Sequence, residues 1–289
     1  MTNPLITARD AFATRHPEAR EVLSGRDWGV IDTAGPGPAL LLIPGTLGRA
    51  DIFWQQIEAL APRCRVIAVS YPASGGIEDW AGDLCAMLDA RGIDRAAVLG
   101  SSLGGYLAQF MAGAHPARVS HLFAANTLHT VQGIAERQPY AQDLDHAPIE
   151  ALRAGFMNAL QGWGQAHPDQ ADLVAFLAAE VAGRIPEAEM RARLNALKRG
   201  PELPPAPQPP ESLSVIDAAD DPLIPPEMRT AVRARLPGAA GFRFLRGGHF
   251  PYVLRPALYA NLIAARLGLA QPDAAWRASA APDAPGLVA

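Results

Sequence analysis

Short apolar runs recur along the chain, and each stops at residues that do not extend a strand. ALLLI (Ala39–Ile43) stops at Pro44-Gly45, RVIAVS (Arg65–Ser70) at Tyr71-Pro72, and AAVLG (Ala96–Gly100) runs into SSLGG. VSHLFAAN (Val119–Asn126), SLSVID (Ser212–Asp217) and GFRFL (Gly241–Leu245) follow. Near-continuous apolar runs, rather than alternating ones, mark strands covered on both faces, as in parallel sheets. Amphipathic stretches separate them. IFWQQIEAL, with Asp51 placed to N-cap it, then Trp80–Ala90 and Pro256–Leu267 carry apolar residues at helical spacing. The alternation predicts an α/β fold, a mostly parallel central sheet flanked by helices. Trp28–Thr33 reads as an edge strand ahead of the parallel part.

The rhythm breaks once. Residues 127–200 hold ALRAGFMNALQGW, ADLVAFLAAEVAG and EAEMRARLNALKR, too much chain for an ordinary connection. They read as a helical cap inserted between two parts of the core, residues 22–126 and 211–269. PELPPAPQPP (Pro201–Pro210) closes the insert as a stiff, extended linker. The Ala/Pro-rich residues 270–289 are expected to be a disordered tail. With 289 residues, 49% of them hydrophobic, the chain has ample material for a large buried core.

A formal net charge of −4 and the lack of a dense Lys/Arg run argue against a nucleic-acid partner. Cys64 and Cys85 have neither CxxC nor metal-ligand spacing, and read as reduced, partly buried thiols. No metal and no cofactor is expected. The N-terminal stretch lacks a basic segment followed by an apolar one, so a secretory signal is not expected. No window approaches the roughly 18 apolar residues of a membrane span. A cytoplasmic location is the default expectation, and homo-oligomer formation stays open.

LGSSLGGYLAQ (Leu99–Gln109) places two serines on a strand–turn–helix. A nucleophile on such a turn needs small residues two positions to either side. Ser102 has Gly100 and Gly104; Ser101 has Leu99 and Leu103. Ser102 is therefore the candidate nucleophile. The motif predicts an acid and then a histidine further along the chain. AADDPLIPPE follows one strand run and offers Asp221, with Asp220 and Asp217 as rivals; RGGHFPY follows the last and offers His249. None of His16, His115, His121, His129, His146 and His167 has that final loop position. Backbone N–H groups of Leu103 and Thr46 are the candidate oxyanion donors, with Leu47 one register away.

GRADIFWQQIEAL, RVIAVSYP, LGSSLGGYLAQ and GGHFPYVLRP together resemble the α/β-hydrolase superfamily, and in detail its maspardin-like branch. The resemblance runs from about Trp28 to Leu269. It implies an eight-stranded, mostly parallel sheet with a helical cap after the sixth strand. His249 and the DDPLIP loop depart from maspardin and are ordinary for active hydrolases.

The expected function is a serine hydrolase acting on a small-molecule acyl substrate, a carboxylic ester or a thioester. The alternative is a non-catalytic interaction module on the same scaffold. A dehalogenase of this fold needs a carboxylate at position 102, and Leu103 departs from the methionine frequent in perhydrolases. Phe156, Met157, Leu160, Trp163, Phe176 and Leu177 of the cap supply apolar surface for an acyl pocket or for the cap's own packing, and Tyr106 reads as core.

Overall fold

The computed structural model describes residues 3–276 and the strand at 286–288. Strands β1 (Ala19–Leu23), β2 (Arg26–Asp32), β3 (Ala39–Ile43), β4 (Arg65–Ser70), β5 (Ala96–Ser101), β6 (Val119–Ala125), β7 (Leu213–Ala218), β8 (Ala240–Phe244) and β9 (Gly286–Val288) form one sheet. Their spatial order is β1-β2-β4-β3-β5-β6-β7-β8-β9. β1 and β2 are an antiparallel hairpin, β2 also runs antiparallel to β4, and every other pairing is parallel. The expected eight strands are present, and β9 pairs with β8 as a ninth at the far edge.

Helices α1 (Pro4–Arg15), α2 (Trp54–Leu60), α3 (Ile77–Asp89), α4 (Leu103–Ala114), α5 (Ile149–Ala166), α6 (Ala171–Ala179), α7 (Glu187–Lys198), α8 (Pro226–Arg235), α9 (Pro251–Leu254) and α10 (Pro256–Arg266) cover the sheet and build the cap. Successive strand residues face opposite sides, so the apolar runs feed two cores. Leu41 and Ile43 of β3 pack with Ile77, Trp80 and Leu84 of α3 and Leu107 of α4. Leu40 and Leu42 pack with Ile57 and Leu60 of α2 and Tyr259 and Leu262 of α10. Double burial is why these strands are apolar throughout.

α5, α6 and α7 lie between β6 and β7, where the cap was expected. The proline-rich stretch then runs along α4: Gln208 Nε2 donates to Ala112 O (2.8 Å) and Tyr106 Oη to Pro201 O (2.6 Å). Asp51 does not cap a helix. It sits inside a 3-10 turn (Ala50–Phe53) that precedes α2, and its buried carboxylate pairs with Arg184 of the cap. Arg184 also reaches Glu180 (2.6 Å), and Glu180 pairs with Arg9 of α1. The N-terminal helix is thus tied to the cap, an arrangement the sequence reading does not contain. Nor is the tail wholly without structure. Trp276 packs edge-on against Phe242 and Phe244, both at 5.3 Å between ring centroids, and Asp273 N donates to Asn261 Oδ1 (2.8 Å). The remaining tail residues, apart from β9, lie outside the described residues.

The tightest backbone approach in the sheet lies where β5 turns into α4. A Cβ on Gly100 would fall 1.9 Å from Gly104 O, and one on Gly104 would fall 2.2 Å from Ile43 O. Both obstacles are main chain and cannot rotate away. Gly100→Ala and Gly104→Ala are each expected to cost about 4 kcal/mol or more, or to abolish soluble expression, as judged by thermal unfolding.

A second prediction concerns His121 of β6. The ring is buried with Nε2 2.9 Å from Ser214 Oγ, and burial, helped by Arg266, pushes its pKa down to about 4. Its neutral form contributes stability above the unfolded value of 6.5, and that stability is lost as pH falls toward 4. Urea unfolding at pH 7 and pH 4.5 should show a loss in the wild type larger than in His121→Gln by on the order of 2 kcal/mol.

Candidate active site

The turn between β5 and α4 forces Ser102 to φ +56°, ψ −119°, a conformation that a side-chain-bearing residue keeps only when its surroundings compel it. Here the compulsion is visible on both sides of the residue. Ser102 N donates to Ala125 O (3.0 Å), and Ser102 O accepts from Thr127 Oγ1 (2.7 Å) and Tyr106 N (3.0 Å). Ser102 lies against the loop after β3, where a Cβ on Gly45 would come 3.1 Å from its own Cβ. Ser101, one position earlier, is buried.

The loop after β7 sorts its carboxylates by partner. Asp217 is committed to Arg243 (2.6 Å) and Arg233 at the strand end. Asp220 accepts from the N–H groups of Gly247 (3.0 Å) and Gly248 (2.8 Å) and so braces the loop after β8. Asp221 turns the other way. Its Oδ1 accepts from Leu223 N (2.8 Å) and Ile224 N (3.1 Å), while Oδ2 lies 2.8 Å from Asn126 Nδ2 and 3.0 Å from His249 Nδ1. Of the three acids considered, Asp221 is the one in contact with His249. Asp221 and His249 are both buried. Burial opposes the charge on Asp221, but His249, Asn126 and the Leu223 N–H outweigh it and hold the carboxyl below its ordinary pKa. An ionised carboxylate only accepts, so in the neutral ring the hydrogen sits on Nδ1 and the lone pair on Nε2.

Asn126 escaped the sequence reading. It follows β6 at φ +42° and also reaches Gly248 O at 3.4 Å. An asparagine just past an apolar strand was the available signal, because Asn tolerates positive φ better than most residues.

Ser102, His249, Thr46 and Leu47 line one cavity of about 600 Å³. Its walls are mostly apolar, with Ile224 from the core and Leu128, Phe156, Leu160, Trp163 and Leu177 from the insert. The other two cap candidates have different surroundings. Phe176 is fully buried against Trp54 with Arg9 over its ring, and Met157 points to solvent. Tyr106 is buried in the core, as expected. Leu103 opens α4, and the first N–H groups of a helix have no partner within it. A hydroxyl and an imidazole paired with a carboxylate on one cavity, beside the N-terminus of α4, are groups that acyl transfer can use.

Comparison with known proteins agrees with this architecture. A family model for the alpha/beta hydrolase fold matches residues 38–256. The putative carbamate hydrolase RutD of Caulobacter segnis is 28% identical over 242 residues, covering 74% of this chain and 85% of the relative. Human maspardin is 27% identical over 236 residues, covering 80% and 75%. Among solved structures, the enol-lactonase of Burkholderia xenovorans LB400 superposes with a TM-score of 0.73 at 17% identity, covering 86% of this chain and all (100%) of that one. Similarity to RutD and maspardin along most of the chain, and a family match from β3 to the start of α10, lead to one assignment: the chain belongs to the alpha/beta hydrolase fold family.

Proposed function

We propose that the protein is a serine hydrolase that cleaves a carboxylic ester or thioester through an acyl-enzyme. Ser102 Oγ attacks the carbonyl carbon while His249 Nε2 takes its proton, and the carbonyl π electrons move onto oxygen. The oxyanion is held by the N–H groups of Thr46 and Leu103. Collapse expels the alcohol or thiol, which leaves with the proton from His249. Water, deprotonated by the same nitrogen, then attacks the acyl-enzyme and releases the acid and free Ser102. Asp221 keeps the proton on Nδ1 and stabilises the imidazolium that forms in each half-reaction.

The observation that carries this reading is the buried Asp221–His249 pair, whose imidazole lines the same cavity as Ser102. A scaffold serving only as an interaction module, the reading favoured by the likeness to maspardin, leaves that pair without a task. The largely apolar wall suits an uncharged acyl chain or aromatic acid, and the names of the relative, a putative carbamate hydrolase, and of the structural neighbour, an enol-lactonase, are in keeping with hydrolysis at a carbonyl.

The wild type is expected to react with a fluorophosphonate probe and to hydrolyse p-nitrophenyl esters, with Ser102→Ala abolishing both. His249→Ala and Asp221→Ala should lower kcat/KM by roughly 10³-fold or more. A wild type that neither labels nor turns over acetate, butyrate or octanoate esters overturns the hydrolase reading. Full activity in His249→Ala overturns the triad alone.

A further inference from the structure

We propose that Arg193, carried by cap helix α7, is a positioning residue for the loop that presents the Thr46 N–H, so that the cap helps to build the oxyanion hole. The proposal rests on the serine-hydrolase reading above.

Arg193 does not line the cavity. It lies behind the loop Pro44–Gly48, completely buried. Its Nη1 donates to Gly48 O (2.8 Å) and Thr46 O (3.1 Å), and its Nη2 donates to Glu189 Oε2 (2.9 Å) one turn earlier in α7. The guanidinium sits over the ring of Tyr71, 5.2 Å from its centroid, and Tyr71 Oη donates to Pro44 O (2.7 Å). Gly48 N donates to Gly45 O (3.0 Å). The carbonyls of Pro44, Gly45, Thr46 and Gly48 are therefore all held, two of them by one side chain.

Peptide planarity turns held carbonyls into aimed N–H groups. In a trans peptide the C=O and the next N–H point in opposite directions. Arg193 holds Thr46 O directly, which fixes the plane that carries Leu47 N–H; it also anchors Gly48, whose N–H holds Gly45 O and so fixes the plane that carries Thr46 N–H. Thr46 and Leu47 both line the cavity that contains Ser102. The loop needs such external holding because Gly45 and Gly48 give it little stiffness of its own.

The side chain is suited to this task. Burial drives the Arg193 pKa down to about 10, opposed by Glu189, so the group stays charged at neutral pH. A planar fork can serve two carbonyls and a carboxylate at once, whereas a lysine ammonium is a point donor on a flexible stem. Glu189 is itself braced by Arg49 (3.3 Å), which pairs with Glu18 (2.6 Å) beside β1. The network thus crosses from cap to core. Asp51–Arg184 is a second cap-to-core ion pair whose side chains do not touch loop Pro44–Gly48; Arg49 reaches only the main-chain O of Arg184 (3.4 Å), which a side-chain substitution leaves in place, so Arg184 supplies the control.

The test uses the full-length protein, p-nitrophenyl butyrate turnover, fluorophosphonate labelling rate and thermal unfolding. Arg193→Met is expected to lower kcat and the labelling rate by roughly 10²-fold with KM within threefold, as for loss of one oxyanion donor. Arg193→Lys should recover activity to within about tenfold of wild type, because it retains the charge and part of the bonding. Arg184→Gln should lower the unfolding temperature while leaving kcat within twofold. A folded Arg193→Met with kcat within threefold of wild type overturns the proposal, as does an Arg184→Gln whose kcat falls as far as that of Arg193→Met. Should Arg193→Met not fold, Arg193→Gln and Tyr71→Phe decide. A drop in kcat of about fivefold or more at constant KM in both supports the positioning role, and a smaller change in either overturns it. An inactive wild type overturns the hydrolase reading and this proposal together; an active wild type with unaffected variants overturns this proposal only.

Discussion

Three backbone segments meet with no room for a side chain between them: the end of β3, the end of β5 and the first turn of α4. Gly100 lies against Gly104, and Gly104 lies against Ile43 O. The chain can make this crossing only through a residue at positive φ, and Ser102 occupies it. Such a conformation costs on the order of 1–3 kcal/mol. The surrounding hydrogen bonds and the close-packed strands offset that cost, and the result is a side chain whose position is dictated by main-chain packing. The loops after β3, β7 and β8 then need only reach the same end of the sheet, which parallel strands guarantee.

The acidic loop after β7 shows how a cluster of like charges can be made compatible with burial. Asp217 is neutralised by arginines at the strand end, and Asp220 is spent on the N–H groups of Gly247 and Gly248. Only Asp221 faces the imidazole, and its four contacts leave it charged although buried. The neighbouring Asp220 is not redundant. By holding Gly247 and Gly248 it fixes the backbone from which His249 projects.

Much of this was legible in the sequence, for identifiable reasons. Double burial writes a strand as an unbroken apolar run, so ALLLI and RVIAVS matched β3 and β4 at both ends, and AAVLG fell one residue short of β5. Backbone crowding writes itself as glycine, which selected Ser102 over Ser101. What stayed illegible depends on partners far away in the chain. Asp51 has the composition of a local cap, but a cation at position 184 claims it. Arg193 looks like any arginine on an amphipathic helix until the loop at Thr46 is brought against it, 147 residues distant in sequence. Helix α1 carries little apolar patterning of its own and is placed by Phe12 and Arg9, which bury against the cap and the core.

The bonds from Arg193 to Thr46 O and Gly48 O also bear on how separable the two parts of this molecule are. A cap that only roofed the cavity would be a module, exchangeable among relatives to alter substrate range. Here the cap carries a guanidinium that core carbonyls use as their donor. A chimera exchanging residues 127–200 would remove that donor along with the pocket wall and would have to bring a replacement at the same place. Transplanting a specificity in this scaffold is therefore a graft across a shared network, and its natural boundaries lie inside α7 rather than at its ends.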